Sequence, residues 1–177
     1  MPERHRHAAW AAAAVLAAMA FTLMAARPAP PAQAPEIHAG AWLNSAPLTR
    51  ADLAGKVTLV EFWTFACRNC KNVEPYLKRW DARYREQGLV TVAVHTPEFD
   101  FERDLDNVRR YVEKQEIRYP VAVDNDFTTW KRFRNWAWPT IYLIDKRGVI
   151  RHVQVGEGGY AKTEAKIRAL LAEPAGG

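Results

Sequence analysis

The sequence is short of cysteine, with two in 177 residues. Two cysteines are too few for a small domain held together by several disulfides, and too few for a structural zinc site with four cysteine ligands. The chain also lacks a basic stripe interleaved with aromatic residues, since its lysines and arginines are scattered among acids and its net charge is only +5. Nucleic-acid binding is therefore not expected. The sequence contains no internal repeat.

Apolar and aromatic residues are plentiful by contrast. Hydrophobic residues make up 49% of the chain, with seven tryptophans, seven phenylalanines and six tyrosines. This content is too rich for a disordered chain, because it provides enough apolar surface to build a packed core. One globular domain is the expectation for this length.

The N-terminal residues have the pattern of a membrane-targeting segment. Arg4 and Arg6 precede an uncharged, alanine-rich run over residues 8–26. Positive charge ahead of such a run keeps the N-terminus in the cytoplasm and directs the rest of the chain outward. The length of the run favours an uncleaved anchor, but it is only weakly hydrophobic, and cleavage at its last alanines also fits. We assign residues 1–27 to a signal peptide or a membrane anchor.

Proline and alanine dominate residues 28–35, which predicts a stiff, extended linker, so we expect the folded domain to occupy residues 36–177. Within that domain, short β-branched apolar runs alternate with helical patterns. Strands are predicted over 57–62, 89–95, 119–123, 140–144 and 149–155. Helices are predicted around 73–84, 105–112, 127–133 and 167–171. This order predicts an α/β sandwich with a mixed sheet.

The two cysteines form a Cys-x-x-Cys motif, Cys67 to Cys70, where the strand over 57–62 gives way to a helix. The N-terminus of a helix presents unpaired N–H groups and the positive end of its dipole, and both favour a thiolate at Cys67. Cys70, one turn later, points back toward Cys67, so the pair can close and reopen a disulfide. Lys71 follows where c-type haem attachment requires histidine. A static disulfide at the start of a helix remains the alternative.

Residues 61–70, Glu-Phe-Trp-Thr-Phe-Ala-Cys-Arg-Asn-Cys, resemble the active-site segment of the thioredoxin superfamily. Pro75 matches the proline within the thioredoxin active-site helix, and Trp138-Pro139 matches the family's cis-proline loop. The fragments VTVAVHTPEF and WPTIYLID are most similar to the thioredoxin-like domain of DipZ proteins, in the TlpA/ResA-type group of extracytoplasmic thiol oxidoreductases. The resemblance implies a thioredoxin fold, with a mixed central sheet flanked by helices and the TlpA-type insertion.

The resemblance implies thiol–disulfide exchange, in which Cys67 attacks a substrate disulfide and Cys70 resolves the mixed disulfide. Glu61 is an acid in an otherwise apolar strand, and a buried carboxyl group without a partner has a raised pKa. In the thioredoxin register Glu61 lies beneath the disulfide, where it would accept the proton of Cys70. Glu98 follows a strand end, and strand ends in such sheets face the ligand crevice, so a helping acid is expected there. A structural acid on a partly wet face is the alternative for Glu61.

Three further residues are expected to contact substrate. Pro139, if cis, would hold a bend whose backbone pairs with an extended peptide. Trp63 and Trp138 would line the rim as an apolar surface, and a place in the core is the alternative for each tryptophan. No cofactor is expected beyond the redox-active disulfide. The resemblance implies protein thiols and disulfides as partners, with a membrane electron donor of the CcdA/DsbD type. The expected location is the periplasm, at the inner membrane if residues 8–26 remain attached.

Two other functions stay open. Thr64-x-x-Cys67 is the end of the P-x-x-x-T-x-x-C signature of peroxiredoxin-type thiol peroxidases, but Val60 stands where that signature has proline. A copper carrier on the same fold is the second alternative. It usually requires Cys-x-x-x-Cys with a histidine, and His95 is available although the cysteine spacing differs.

Overall fold

The computed structural model describes residues 32–174, which form one six-stranded sheet with helices on both faces. The strands are β1 Ala41–Leu43, β2 Val57–Trp63, β3 Leu89–His95, β4 Val121–Val123, β5 Thr140–Ile144 and β6 Ile150–Val155. The helices are α1 Arg50–Leu53, α2 Arg68–Tyr84, α3 Leu105–Lys114, α4 Thr128–Arg132 and α5 Tyr160–Ala172. Short 3-10 turns occupy Arg85–Gln87 and Asp100–Glu102.

The sheet is mixed, with strand order β1-β4-β3-β2-β5-β6. Strands β2, β3 and β4 run parallel, whereas β1, β5 and β6 each pair antiparallel with a neighbour. All seven residues of β2 are buried, which explains its almost continuous apolar sequence, because a strand covered on both faces has no solvent side. The predicted thioredoxin architecture, a mixed central sheet flanked by helices, is confirmed.

Alternation along β2 divides its side chains between two cores. Leu59 and Trp63 pack on the face covered by α2, α3 and α5. Val60 and Phe62 pack on the opposite face, against residues of α4 and of the segment that precedes β1. Glu61 shares the parity of Leu59 and Trp63, so its carboxyl group lies under α2. The sequence of one strand thus places an acid beneath the helix that carries the cysteines.

Helix α2 follows the predicted stripe. Val73, Leu77, Trp80 and Tyr84 are all buried against the sheet. The helix passes into a 3-10 turn that ends at Gly88, whose φ of 97° lies in the left-handed region that glycine adopts without steric cost. The apolar stripe fixes the face of the helix and thereby the direction in which its first turn presents the cysteines.

The structure contains elements that the sequence did not predict. Strand β1 pairs antiparallel with β4, and α1 begins with a capping box between Thr49 and Asp52. The last residues of the predicted linker also pair with the domain, since the backbone N–H of Ala34 donates to Gly148 and that of Ile150 donates to Ala32. Across residues 32–174, none of the helices has the length and apolar character needed to span a bilayer. The predicted targeting segment, 1–27, lies outside the described residues.

Candidate active site

The cysteine pair sits at the junction of β2 and α2. Cys67 is the N-cap of α2, and its Sγ accepts a hydrogen bond from the backbone N–H of Cys70 at 3.2 Å. Both residues are free thiols, with Cys67 partly exposed and Cys70 only 3% exposed. A partner molecule can therefore approach the sulfur of Cys67, while Cys70 faces the protein interior.

The two thiols differ in acidity because one stabilises the anion of the other. A hydrogen bond from the Cys70 thiol, helped by the backbone N–H groups of Cys70 and Asn69, lowers the pKa of Cys67 to about 7, although burial and the Glu98 carboxylate act against it. The same hydrogen bond, together with burial and the charge of Glu61, raises the pKa of Cys70. The first proton lost by the pair therefore comes from Cys67.

Glu61 lies beneath this pair and takes part in none of the ion pairs within the described part of the chain. It is 3% exposed, and its Oε1 is buried with no hydrogen-bond partner among the described residues. Burial raises its pKa well above the usual value, and the neighbouring charges of Glu74 and the Cys67 thiolate raise it further. The raised pKa makes the ionised Glu61 a stronger proton acceptor than an ordinary carboxylate, and it follows from the place of this acid in an apolar strand.

A second buried acid, Glu102, was missed by the sequence analysis. Its fully buried carboxylate accepts four hydrogen bonds. The donors are the backbone N–H groups of Ala66 at 2.8 Å, Glu98 at 2.8 Å and Phe99 at 2.9 Å, and the hydroxyl of Thr64. Burial alone would raise the pKa of Glu102, but these hydrogen bonds together lower it. The carboxylate thus ties the loop before Cys67 to the loop that carries Glu98.

His95 extends this network at the end of β3. It is fully buried, between the rings of Trp63 and Phe65, whose centroids lie 5.3 and 5.6 Å from its own. Its Nε2 lies 3.3 Å from the Thr64 hydroxyl, and because that hydroxyl donates to Glu102, we assign the proton of His95 to Nε2. Burial lowers the pKa of His95 to about 4, so the ring is neutral.

Glu98 lies beside the pair but is exposed to solvent. Its backbone N–H is held by Glu102, and its carboxylate is close enough to raise the pKa of Cys67. The negative charge therefore disfavours the thiolate. Its electrostatic effect on the resting thiol opposes ionisation, and the expected role of Glu98 as a helping acid stays a prediction.

The cis-proline loop faces the cysteine end of the sheet. The peptide bond between Trp138 and Pro139 is cis, as the resemblance implied, and Pro139 is buried. The indole N–H of Trp138 donates to the backbone carbonyl of Thr96 at 3.0 Å, which fixes the partly exposed ring. Trp136, in the same loop, is 74% exposed and was not singled out from the sequence.

Trp63 lies in the core, and the prediction that it lines the rim of the site is wrong. It was expected on the rim, but it is only 4% exposed and belongs to the core under α2. The reason is that β2 runs one residue further than predicted, to Trp63, which pairs with His95. Its side chain therefore keeps the inward parity of Glu61, and Trp63 does not form part of a landing surface.

Metal-binding geometry is not found around the cysteines. Within the part of the chain that the structure describes, no group of three or more His, Cys, Asp or Glu side chains is placed to hold a metal ion. His95, which the copper-carrier alternative required, makes its polar contact with Thr64.

Comparison with known proteins places this site in a family. The profile of the AhpC/TSA family matches residues 26–153. DipZ of Mycobacterium tuberculosis is 42% identical over 133 residues, which are 73% of this chain but 19% of DipZ. The thiol-disulfide oxidoreductase YkuV of Bacillus subtilis is 35% identical over 134 residues, which are 75% of this chain and 89% of YkuV.

Solved structures agree with the sequence matches. A thioredoxin-like protein determined in solution in its oxidised form has a TM-score of 0.73 at 33% identity, covering 80% of this chain and 96% of that one. The crystal structure of a thioredoxin-like superfamily protein has a TM-score of 0.76 at 27% identity, covering 81% and 99%. These matches confirm the predicted fold and the resemblance to DipZ. The chain belongs to the AhpC/TSA family, as a member with the thioredoxin fold.

Proposed function

We propose that this protein is an extracytoplasmic thiol:disulfide oxidoreductase that acts on protein disulfides through Cys67 and Cys70. The observation that carries the proposal is the asymmetry of the pair. A partly exposed N-cap thiol with a pKa of about 7 lies against a buried thiol whose pKa is raised. Thiol–disulfide exchange needs this combination, because the attacking sulfur must be ionised and accessible while the resolving sulfur waits inside.

The exchange proceeds in two displacements. The Cys67 thiolate attacks one sulfur of a client disulfide, which forms a mixed disulfide and releases the first client thiolate to take up a proton. Cys70 then loses its proton to Glu61 and attacks the sulfur of Cys67, which closes the Cys67–Cys70 disulfide and releases the second client thiolate to take up a proton. The client is reduced by two electrons and the protein is oxidised by two. Glu61 supports this step, because its carboxyl group is buried close enough to Cys70 to raise the pKa of that thiol, and its Oε1 has no hydrogen-bond partner among residues 32–174.

The direction of electron flow is proposed to be reductive. In an oxidising compartment, two lone cysteines would otherwise settle as an inert disulfide, so a dithiol enzyme there needs a supply of electrons. A membrane carrier of the CcdA/DsbD type is the proposed donor. Anchoring through residues 8–26 would keep the domain near that carrier. Glu98 and the Trp138–Pro139 loop are proposed to border the client disulfide.

Trapping tests the order of attack. Cys70→Ser leaves Cys67 able to attack but removes the resolving thiol, so a client disulfide incubated with this variant should accumulate as a mixed disulfide on non-reducing gels. Cys67→Ser is the matched control and should trap nothing. Trapping by Cys67→Ser alone would reverse the assignment of roles.

Equilibration with glutathione tests the direction of electron flow, because it measures the reduction potential of the wild-type Cys67–Cys70 pair. A potential more oxidising than that of the glutathione couple would contradict the reductive direction.

A thiol peroxidase is the second candidate, because the AhpC/TSA profile matches the chain and Thr64 stands three residues before Cys67. The hydroxyl of Thr64 is already shared between Glu102 and His95, which does not favour a role toward peroxide. Rapid consumption of hydrogen peroxide by the reduced full chain, at a rate above its reduction of protein disulfides, would support this candidate.

A further inference from the structure

A groove of about 710 Å³ opens between α2 and α3, at the loop that leads into Cys67. Its lining includes Phe65 and Ala66, the two residues that precede Cys67, and extends to Lys114 and Gln115 at the end of α3. A molecule bound in this groove would therefore have one end next to the attacking sulfur. The mechanism above makes no use of this surface.

One wall of the groove is aromatic. The ring of Phe65 lies 5.8 Å from Phe101 and 5.8 Å from Tyr111 between centroids. Phe101 is 54% exposed and stacks at 5.7 Å on Phe99, which is 50% exposed. Large apolar side chains that lie together in solvent contribute little to the core and mark interaction surfaces.

The lining of the groove also carries positive charge. Its one acid, Glu74, is already engaged, because Lys78 Nζ lies 2.7 Å from its Oε1 and the Tyr111 hydroxyl donates to its Oε2 at 2.8 Å. Lys71 and Lys114 also line the groove, are exposed, and form no ion pair within residues 32–174. Two positive charges are therefore left for a ligand, next to an apolar wall.

We propose that this groove binds the segment flanking the disulfide of a client protein, and that it prefers segments carrying a large apolar residue beside an acidic one. The inference rests on the proposed thiol–disulfide exchange. A client disulfide that reaches Cys67 brings its flanking residues along, and an extended chain advances about 3.3 Å per residue, so residues within about three positions of the client cysteine lie in the groove. The apolar side chain packs on Phe101, and the carboxylate pairs with Lys71 and Lys114.

The test uses the reduced full chain and symmetric disulfide dimers of short peptides. Each peptide has one cysteine, followed or preceded by Phe-Glu, Phe-Lys, Ala-Glu or Ala-Lys, and kcat/KM for reduction is measured for each. Burying a phenylalanine predicts a preference of about tenfold for Phe over Ala. Pairing at a partly exposed lysine predicts about two- to fivefold for Glu over Lys, and this preference falls in high salt.

Variants assign each preference to its residue. Phe101→Ala should abolish the preference for Phe. Lys114→Gln should weaken the preference for Glu, and Lys114→Glu should abolish it, because the added negative charge offsets Lys71. Because each result is a ratio between peptides within one variant, a general loss of activity cancels. Val153→Ala and Lys131→Glu change exposed residues of β6 and α4, so both should retain the wild-type ratios.

The outcomes separate the two proposals. Reduction of all four peptides at equal rates would refute client recognition by the groove, while thiol–disulfide exchange by Cys67 and Cys70 would remain supported. A clear preference that survives both Phe101→Ala and Lys114→Glu would also overturn the groove, because it would place recognition elsewhere. If no peptide is reduced at all, the proposed function itself fails.

Discussion

Replacing Glu102 by glutamine removes one acceptor oxygen from a carboxylate that satisfies four donors. The amide group of glutamine would then face the two donors on one side. The Thr64 hydroxyl can rotate to accept from that amide, but the backbone N–H groups of Ala66, Glu98 and Phe99 cannot. One or two buried donors are left unsatisfied, at about 1–3 kcal/mol each.

The expected loss of stability is therefore about 1–6 kcal/mol, a large share of the 5–15 kcal/mol typical of a domain. Urea unfolding followed by circular dichroism measures it, and the midpoint should fall without a change in slope. Glu86→Gln is the matched control, because Glu86 is exposed, and its effect should stay within about 0.5 kcal/mol. A loss below about 0.5 kcal/mol for Glu102→Gln would refute the account of this carboxylate.

The same variant makes a pH prediction. Since the folded-state pKa of Glu102 is lowered, its contribution is fully present above the unfolded-state pKa and is lost as the pH falls through the folded-state value. The stability gap between wild type and Glu102→Gln should therefore narrow at acid pH, below about 4. A gap that stays constant from pH 7 to pH 3 would show that the ionised carboxylate is not what the four donors stabilise.

Three further predictions concern the cysteine pair and the N-terminus. The rate of alkylation of Cys67 by iodoacetamide should rise with pH, with a midpoint near pH 7. Glu98→Gln should lower that midpoint, because it removes a negative charge that disfavours the thiolate. An unchanged midpoint would show that Glu98 does not influence the pKa of Cys67. Glu61→Gln should slow resolution of the mixed disulfide while alkylation of Cys67 continues, and unchanged resolution kinetics would exclude Glu61 from the proton transfer. If residues 8–26 anchor the protein, carbonate-washed membranes should retain the full chain, whereas a soluble form beginning near Arg27 would indicate cleavage.

The strongly patterned elements were predictable from the sequence. Strand β2 and the stripe of α2 from Val73 to Tyr84 follow from hydrophobic periodicity, and the cysteine motif follows from its place between them. Strand β1 was missed because three residues, Ala-Trp-Leu, are too short to show an alternating pattern. Such a strand is defined by its partner β4, about 80 positions away along the chain.

Of the two buried acids of the site, one was predictable from the sequence and the other was not. Glu61 was identifiable because a lone acid in an apolar strand contradicts its surroundings. Glu102 was not, because three of its four donors are backbone N–H groups, and backbone groups leave no signature in side-chain identity. The available signal was an acid three residues after Phe99, where a carboxylate can accept from the backbone N–H that precedes the 3-10 turn. That signal indicates a turn, and it does not reveal that the same carboxylate reaches Ala66.

The buried Oε1 of Glu61, which has no hydrogen-bond partner among the described residues, affects which substitutions would stabilise the fold. A buried carboxyl group with an unmet hydrogen bond costs stability that a leucine of similar reach would recover, so this position holds the fold below its attainable melting temperature. A selection for heat resistance alone should return apolar residues at position 61 early, in proteins that stay folded and resolve client disulfides slowly. If Glu61 accepts the proton of Cys70 as proposed, thermal stability and turnover place opposite demands on this one side chain.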